Sequence, residues 1–356
     1  MEKNGMTPLT AEKEKMPHDV RNCSIDIFRY IFALLVVVNH YDPFLDMNNG
    51  AILRFDHAVA SLPVPFFAVV AGYYFTGKLL NGKRVLLPYL KRLIIPYAVW
   101  SAVYFTTAFV KTGGADTAGF IKNCAVRFLI SGSEFHLWYF PAVMTAAVTT
   151  AAFFRLRAEK LIVSVSCVMY AYILLQEDYS WLLPKLAAAT AMPSAVRANY
   201  SLIALKRVLF ITLPYFCAGY LVRKINTKNG FLCRNSGKAL TAAGLLFVLE
   251  YILLTRKGAD TDTTLMTYIM PAVLLLFLCG HPAADKREAA KSCRFLAGFT
   301  FYAHPAAYMA IDGMYRMAFH SAAPSALMYA LICAVCAVMA MAIKKINNRC
   351  LNIISC

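Results

Sequence analysis

The chain is 356 residues long, 60% hydrophobic and 15% charged, against roughly a quarter charged in ordinary soluble domains, which excludes a soluble globular domain. Its formal net charge of +17 does not read as a nucleic-acid footprint, because the Lys and Arg residues fall in short clusters between apolar runs, where membrane topology places them. The eleven cysteines follow no disulfide-framework spacing, and most lie inside apolar stretches as small packing residues.

Residues 1–20 are polar and lack a signal-peptide pattern. They are expected to form a cytoplasmic tail ahead of a first helix retained as an anchor. From 21 to 343 the sequence predicts one all-α polytopic bundle of about ten transmembrane helices, each of about twenty apolar residues. In chain order they fall at 24–43, 60–78, 88–110, 137–154, 160–176, 204–222, 239–255, 264–280, 295–312 and 325–343. The stretch 177–203 is broken by Pro184, Lys185 and Pro193 and is expected to be an interfacial loop or half-helix. Cys333 and Cys336 form a C-x-x-C inside an uncharged span and read as packing residues rather than a redox or metal pair. Residues 344–356 form a C-terminal tail.

The positive-inside bias orients this bundle. With the N-terminus cytoplasmic, the inward segments take Lys3, Lys13, Lys15 and Arg21 and the basic clusters within 78–92, 155–160, 223–238, 286–294 and 344–349. That is roughly twice the number left outside, so both termini are expected in the cytoplasm. Lys206 and Arg207 run against the rule.

The first helix carries Asp26, Arg29, Asn39 and His40 in IDIFRYIFALLVVVNHYD (25–42), and ionisable residues inside spans tend to face a bundle interior or a cavity. Eleven positions at about 100° and 1.5 Å each bring Arg29 and His40 within about 20° around the helix and about 16 Å along it. Asp26 and Arg29, three apart, are spaced to pair, and Phe32 and Val36 continue the same stripe.

Six stretches in order resemble the acyltransferase-3 family of membrane O-acyltransferases: Asp26, Arg29 and His40 in SIDIFRYIFALLVVVNH; PFFAVVAGYYF (65–75); YLKRLIIPYAVW (89–100); HLWYFPAVM (136–144); PYFCAGYLV (214–222); and FTFYAHPAAYMAI (299–311). The resemblance runs from about residue 21 to 343. Tyr89 stands where many members have a second arginine three residues before the one matched by Arg92, and Ala71 replaces the usual serine before Gly72. Alanine keeps the small volume that close helix packing needs.

The resemblance implies transfer of an acyl group, usually acetyl, from cytoplasmic acyl-coenzyme A to a hydroxyl of a cell-envelope carbohydrate or related acceptor. Acyl-coenzyme A is then a co-substrate, and no bound cofactor or metal is expected. An imidazole titrates near neutrality, which makes His40 the expected general base. The donor's phosphates require cations, for which Arg29, Arg92 and Lys91 are the candidates, with Asp26 orienting Arg29. His136 and Trp138 at an outward mouth, and Tyr302 and His304 in the ninth helix, are the expected acceptor contacts. Direct transfer and a relay through acyl-histidine both fit the spacing.

Each residue has a plainer reading. Arg29 can snorkel to headgroups, Lys91 and Arg92 suit any basic loop beside a span, and Trp138 suits any interface. His304 can bond a carbonyl freed by Pro305. Glu250 reads either as a partner for a basic group or as an interfacial acid. The sequence has no phosphate loop, H-E-x-x-H or G-x-S-x-G motif, which argues against a nucleotide-hydrolysing transporter or a membrane metalloprotease. The competing class is a transporter or binding protein for a small amino acid or sugar. HLWYFPAVM resembles the membrane half of the vancomycin-resistance serine and alanine racemases. Those proteins continue into a pyridoxal-phosphate domain, so racemisation is not expected of this polypeptide alone.

Overall fold

The structure, a computed structural model, describes residues 22–113, 117–191, 200–228, 230–259, 261–283 and 286–346. The expected tail at 1–20, the C-terminal tail beyond 346 and residues 192–199 lie outside them. Every regular element among the described residues is a helix: α1 (Cys23–His40), α2 (Gly50–Ala60), α3 (Pro63–Leu80), α4 (Leu86–Thr112), α5 (Thr117–Val126), α6 (Tyr139–Arg155), α7 (Glu159–Gln176), α8 (Pro184–Ala189), α9 (Tyr200–Lys206), α10 (Leu213–Lys228), α11 (Gly230–Arg234), α12 (Ser236–Arg256), α13 (Leu265–Gly280), α14 (Arg287–Phe319) and α15 (Ser325–Ile346), with short 3₁₀ and π turns between some of them.

All ten segments read from the sequence are helical, but the count of ten spans is corrected to seven. Seven helical stretches among the described residues are long and apolar enough to cross a membrane, and they make this a multi-pass membrane protein. The other three fail for different reasons. α6 has only 17 residues, and α13 is apolar but has only 16. α14 is long, but Tyr302, His304, Tyr308 and Asp312 dilute its apolar stretch. These helices depend on protein rather than lipid for much of their surface, and α14 buries a run from Phe299 to Pro305.

The scaffold rests on a glycine seam between α3 and α10. A Cβ on Gly72 would fall on the Phe216 carbonyl, and one on Gly219 on the Val69 carbonyl, so the two backbones touch where neither has a side chain. Phe32 of α1 stacks on Phe66 of α3 with centroids 4.2 Å apart, which fixes the stripe of α1 against this seam. Asn22 caps α1 by accepting from the Ser24 and Ile25 N–H groups, and its own amide donates to the Leu278 carbonyl at 2.6 Å. Ser24 Oγ donates to the His281 carbonyl at 2.6 Å. The start of α1 is thereby tied to the end of α13.

Glu250 is held by backbone N–H groups and a tyrosine rather than by the basic group that was one of its two expected readings. Its carboxylate accepts from the Leu265 and Met266 N–H groups at 2.9 Å each and from the Tyr179 hydroxyl. It caps the N-terminus of α13, where unpaired N–H groups and the helix dipole favour an anion.

Candidate active site

α1 is unbroken from Cys23 to His40, so its two polar ends stand about 16 Å apart along one rigid rod. At the first end, Arg29 Nη1 donates to Asp26 Oδ1 at 3.1 Å. The aspartate is buried, while the arginine keeps 26% of its side-chain surface. The guanidinium carbon lies 5.8 Å from the Tyr74 ring centroid. Tyr89 is within electrostatic reach of both Arg29 and Arg92, and Tyr139 of Arg29. Lys91 and Arg92 are exposed.

At the second end α14 brings His304 beside His40, ring on ring, with centroids 5.4 Å apart and planes within 8°. His136 meets His304 at 4.8 Å, and Phe135 covers His40 edge-on at 4.6 Å. Three imidazoles from distant parts of the sequence share one cluster. His304 Nδ1 lies 3.0 Å from the Thr300 carbonyl, which can only accept, so Nδ1 carries the proton and Nε2 the lone pair. That Nε2 is buried without a hydrogen-bond partner. The ring lies also against the Phe301 carbonyl, the one that Pro305 frees. Tyr302 lies between Trp100 and Phe140, with centroids at 6.1 and 4.9 Å, and its carbonyl accepts from Tyr104 Oη at 2.5 Å.

His136, expected at an outward mouth, is buried. It is 3% exposed, in an irregular segment, 132–138, between a π-helical turn (Arg127–Ser131) and α6. Gly132 opens the segment at φ +90°, and a Cβ there would strike the Trp138 backbone. Ser101 Oγ and Ser133 Oγ, 2.5 Å apart, pin it to α4. Buried irregular backbone is tolerated in a membrane protein where protein surrounds it. His136 faces the Tyr302 carbonyl without a hydrogen bond of ordinary geometry at either ring nitrogen.

Trp138 is half-buried and lines a cavity of about 700 Å³ together with Asn39, Trp181, Arg207, Lys257 and Asp262. None of the three clustered histidines lines it; Asn39 and Trp138, which do, lie one and two residues along the chain from His40 and His136. Sequence reasoning missed most of its wall. The two residues that broke the positive-inside pattern, Lys206 and Arg207, both line it, and that violation was the available signal. Among the described residues no group of three or more His, Cys, Asp or Glu side chains, the histidine cluster included, is arranged to hold a metal ion.

A family model described as an acyltransferase domain matches residues 22–344. Among curated proteins, an amino-acid racemase of Enterococcus faecalis is 28% identical over 123 residues, 35% of this chain and 17% of that protein. A serine/alanine racemase of Enterococcus gallinarum is 23% identical over 265 residues, 73% of this chain and 37% of that protein. Another E. faecalis amino-acid racemase is 23% identical over 237 residues, 65% of this chain and 32% of that protein. The chain spans well under two thirds of each of these relatives. No solved structure matches.

Proposed function

This chain belongs to the acyltransferase-3 family, and from that premise we propose that it is an O-acyltransferase of the cell membrane. It moves an acyl group, acetyl in the simplest case, from cytoplasmic acyl-coenzyme A to a hydroxyl of a cell-envelope carbohydrate or related acceptor. The observation that carries this reading is the pairing of a cationic end and an imidazole end on one helix, the Asp26–Arg29 pair at one and the His40, His136 and His304 cluster at the other.

In this mechanism Arg29 and Arg92 hold the donor's phosphates, Asp26 fixes the guanidinium of Arg29, and Lys91 adds positive charge at the surface. The pantetheine arm spans the distance to His40. His40 takes the proton from the acceptor hydroxyl as its oxygen attacks the thioester carbon. The new C–O bond forms, the C–S bond breaks, and the proton passes to the departing thiolate. His304 and His136, against His40, shape the pocket in which this occurs, and Trp138 and Tyr302 provide aromatic walls toward the acceptor.

A second reading is favoured by the cavity. Its wall carries acidic and basic groups together, and the curated relatives are named as racemases of amino acids. On that reading the chain binds or carries a small amino acid. Inverted membrane vesicles supplied with radiolabelled acetyl-coenzyme A separate the two. Label transferred to polysaccharide or another hydroxyl product, and lost in His40→Ala, is expected for the acyltransferase. Unchanged transfer in that variant removes His40 from the mechanism, and amino-acid uptake with no acylated product overturns the transferase reading.

A further inference from the structure

We propose that the cavity lined by Trp138 and Arg207 is a carboxylate-binding subsite centred on Arg207, so that the molecule it admits is a hydroxylated carboxylic acid rather than a neutral alcohol or sugar. This builds on the acyl-transfer reading by naming what the acceptor carries, while the binding claim stands apart from the chemistry.

The argument starts from charge. The cavity wall holds Glu177, Asp178 and Asp262 against Lys206, Arg207 and Lys257, but the acids are already engaged by the protein's own donors. Lys206 Nζ pairs with Glu177, His57 Nε2 meets Asp262 Oδ1 at 2.6 Å, and Asp178 Oδ2 accepts from the Thr263 N–H at 2.9 Å. Arg207 and Lys257 have no carboxylate partner among the described residues. Each lies instead on an indole, Arg207 with its guanidinium carbon 4.8 Å from the Trp138 centroid and Lys257 Nζ 5.1 Å from that of Trp181. Arg207 and Lys257 are therefore the cations of this wall that an anionic ligand can pair with.

Geometry points the same way. A guanidinium held over an aromatic ring makes no hydrogen bond to it, and its planar fork of donors matches the two oxygens of a carboxylate. Arg207 opens a π-helical turn, Arg207–Thr212, a local widening that recurs at functional sites. It is also partly withdrawn from solvent, where an uncompensated charge is costly and an anionic ligand offsets that cost. Trp138, which lines this subsite, lies two residues along the chain from His136. A volume of about 700 Å³ falls within the range of small-molecule sites and admits either a hydroxy amino acid or a single uronic acid.

The test is direct binding to the full chain in detergent, read by tryptophan fluorescence and by calorimetry. The probes are L-serine, D-glycerate and D-glucuronate, each against its methyl ester. Carboxylates are expected to bind about tenfold or more tighter than esters, and Arg207→Gln to abolish the difference. Arg207→Lys is expected to retain part of it, which guards against a folding defect. Selective binding of serine identifies an amino-acid ligand, and selective binding of glucuronate a sugar acid. Equal affinity for acids and esters, or selectivity unchanged in Arg207→Gln, overturns the subsite. Selective binding without any acyl transfer keeps the subsite and overturns the transferase reading. Transfer to neutral acceptors without acid selectivity does the reverse.

Discussion

The two ends of α1 satisfy their polar groups in opposite ways. At Arg29 the charge is answered within one turn by Asp26 at 3.1 Å, tyrosines surround it, and part of the side chain stays exposed. At His40 the neighbours are rings from distant segments, and His304 Nε2 has no hydrogen-bond partner. A satisfied ion pair suits a site that holds a charged ligand from solution. A buried ring nitrogen without a partner beside His40 suits a site that a ligand completes, because leaving it unpaired costs free energy.

The sharpest way to break this contrast is at the imidazole end. His40→Ala is expected to lower acyl transfer by about 10²–10⁴-fold, the usual contribution of a positioned acid or base, with the donor KM unchanged. A rise in donor KM comparable to the fall in kcat would mean that the two ends do not divide the work. Next in size is the frame that holds them. In Gly219→Ala the new Cβ meets the Val69 carbonyl, and overpacking of about 1–3 kcal/mol should lower the melting temperature in detergent and depress both functions together. A wild-type melting temperature would show that α3 and α10 need not touch.

The contrast was half legible in the sequence. The polar stripe of α1 follows from helical period and needs no tertiary knowledge, and the small residues around Gly72 signalled a close approach that the seam with Phe216 provides. The three-histidine cluster was not legible, because α1, the 132–138 segment and α14 meet only in space. Nor was the burial of His136, since Leu137 and Trp138 beside it read equally well as interface residues. α2 was only partly read. The span read from the sequence begins only at residue 60, whereas the helix starts at Gly50, where Asn49 caps it by accepting from the Ala51 and Ile52 N–H groups. Glu250 could not be assigned from sequence, because its partners lie across a loop at the start of α13. Length misled the span count, since protein contacts let α6, α13 and α14 be shorter or more polar than lipid alone would allow.

At the cationic end the expected effects are smaller. Arg29→Lys keeps the charge but loses the planar fork, and a rise of about tenfold in donor KM is expected, with kcat nearly kept. An unchanged KM removes Arg29 from donor binding.

The finest distinction lies between two adjacent cations. Arg92 is three positions from Tyr89 and shares its helix face, and Tyr89 is within electrostatic reach of Arg29 and Arg92; Lys91 points away by about 100°. If the donor's phosphates sit where Arg29, Tyr89 and Arg92 converge, Arg92→Gln should raise the donor KM severalfold. Lys91→Gln, the loss of an exposed charge, should change it by less than about fivefold, the equivalent of about 1 kcal/mol at most. Equal effects that fade together with added salt would mean that these residues act only as a diffuse positive surface, because screening over about 10 Å at 0.1 M removes such an attraction and leaves a direct bidentate contact largely intact.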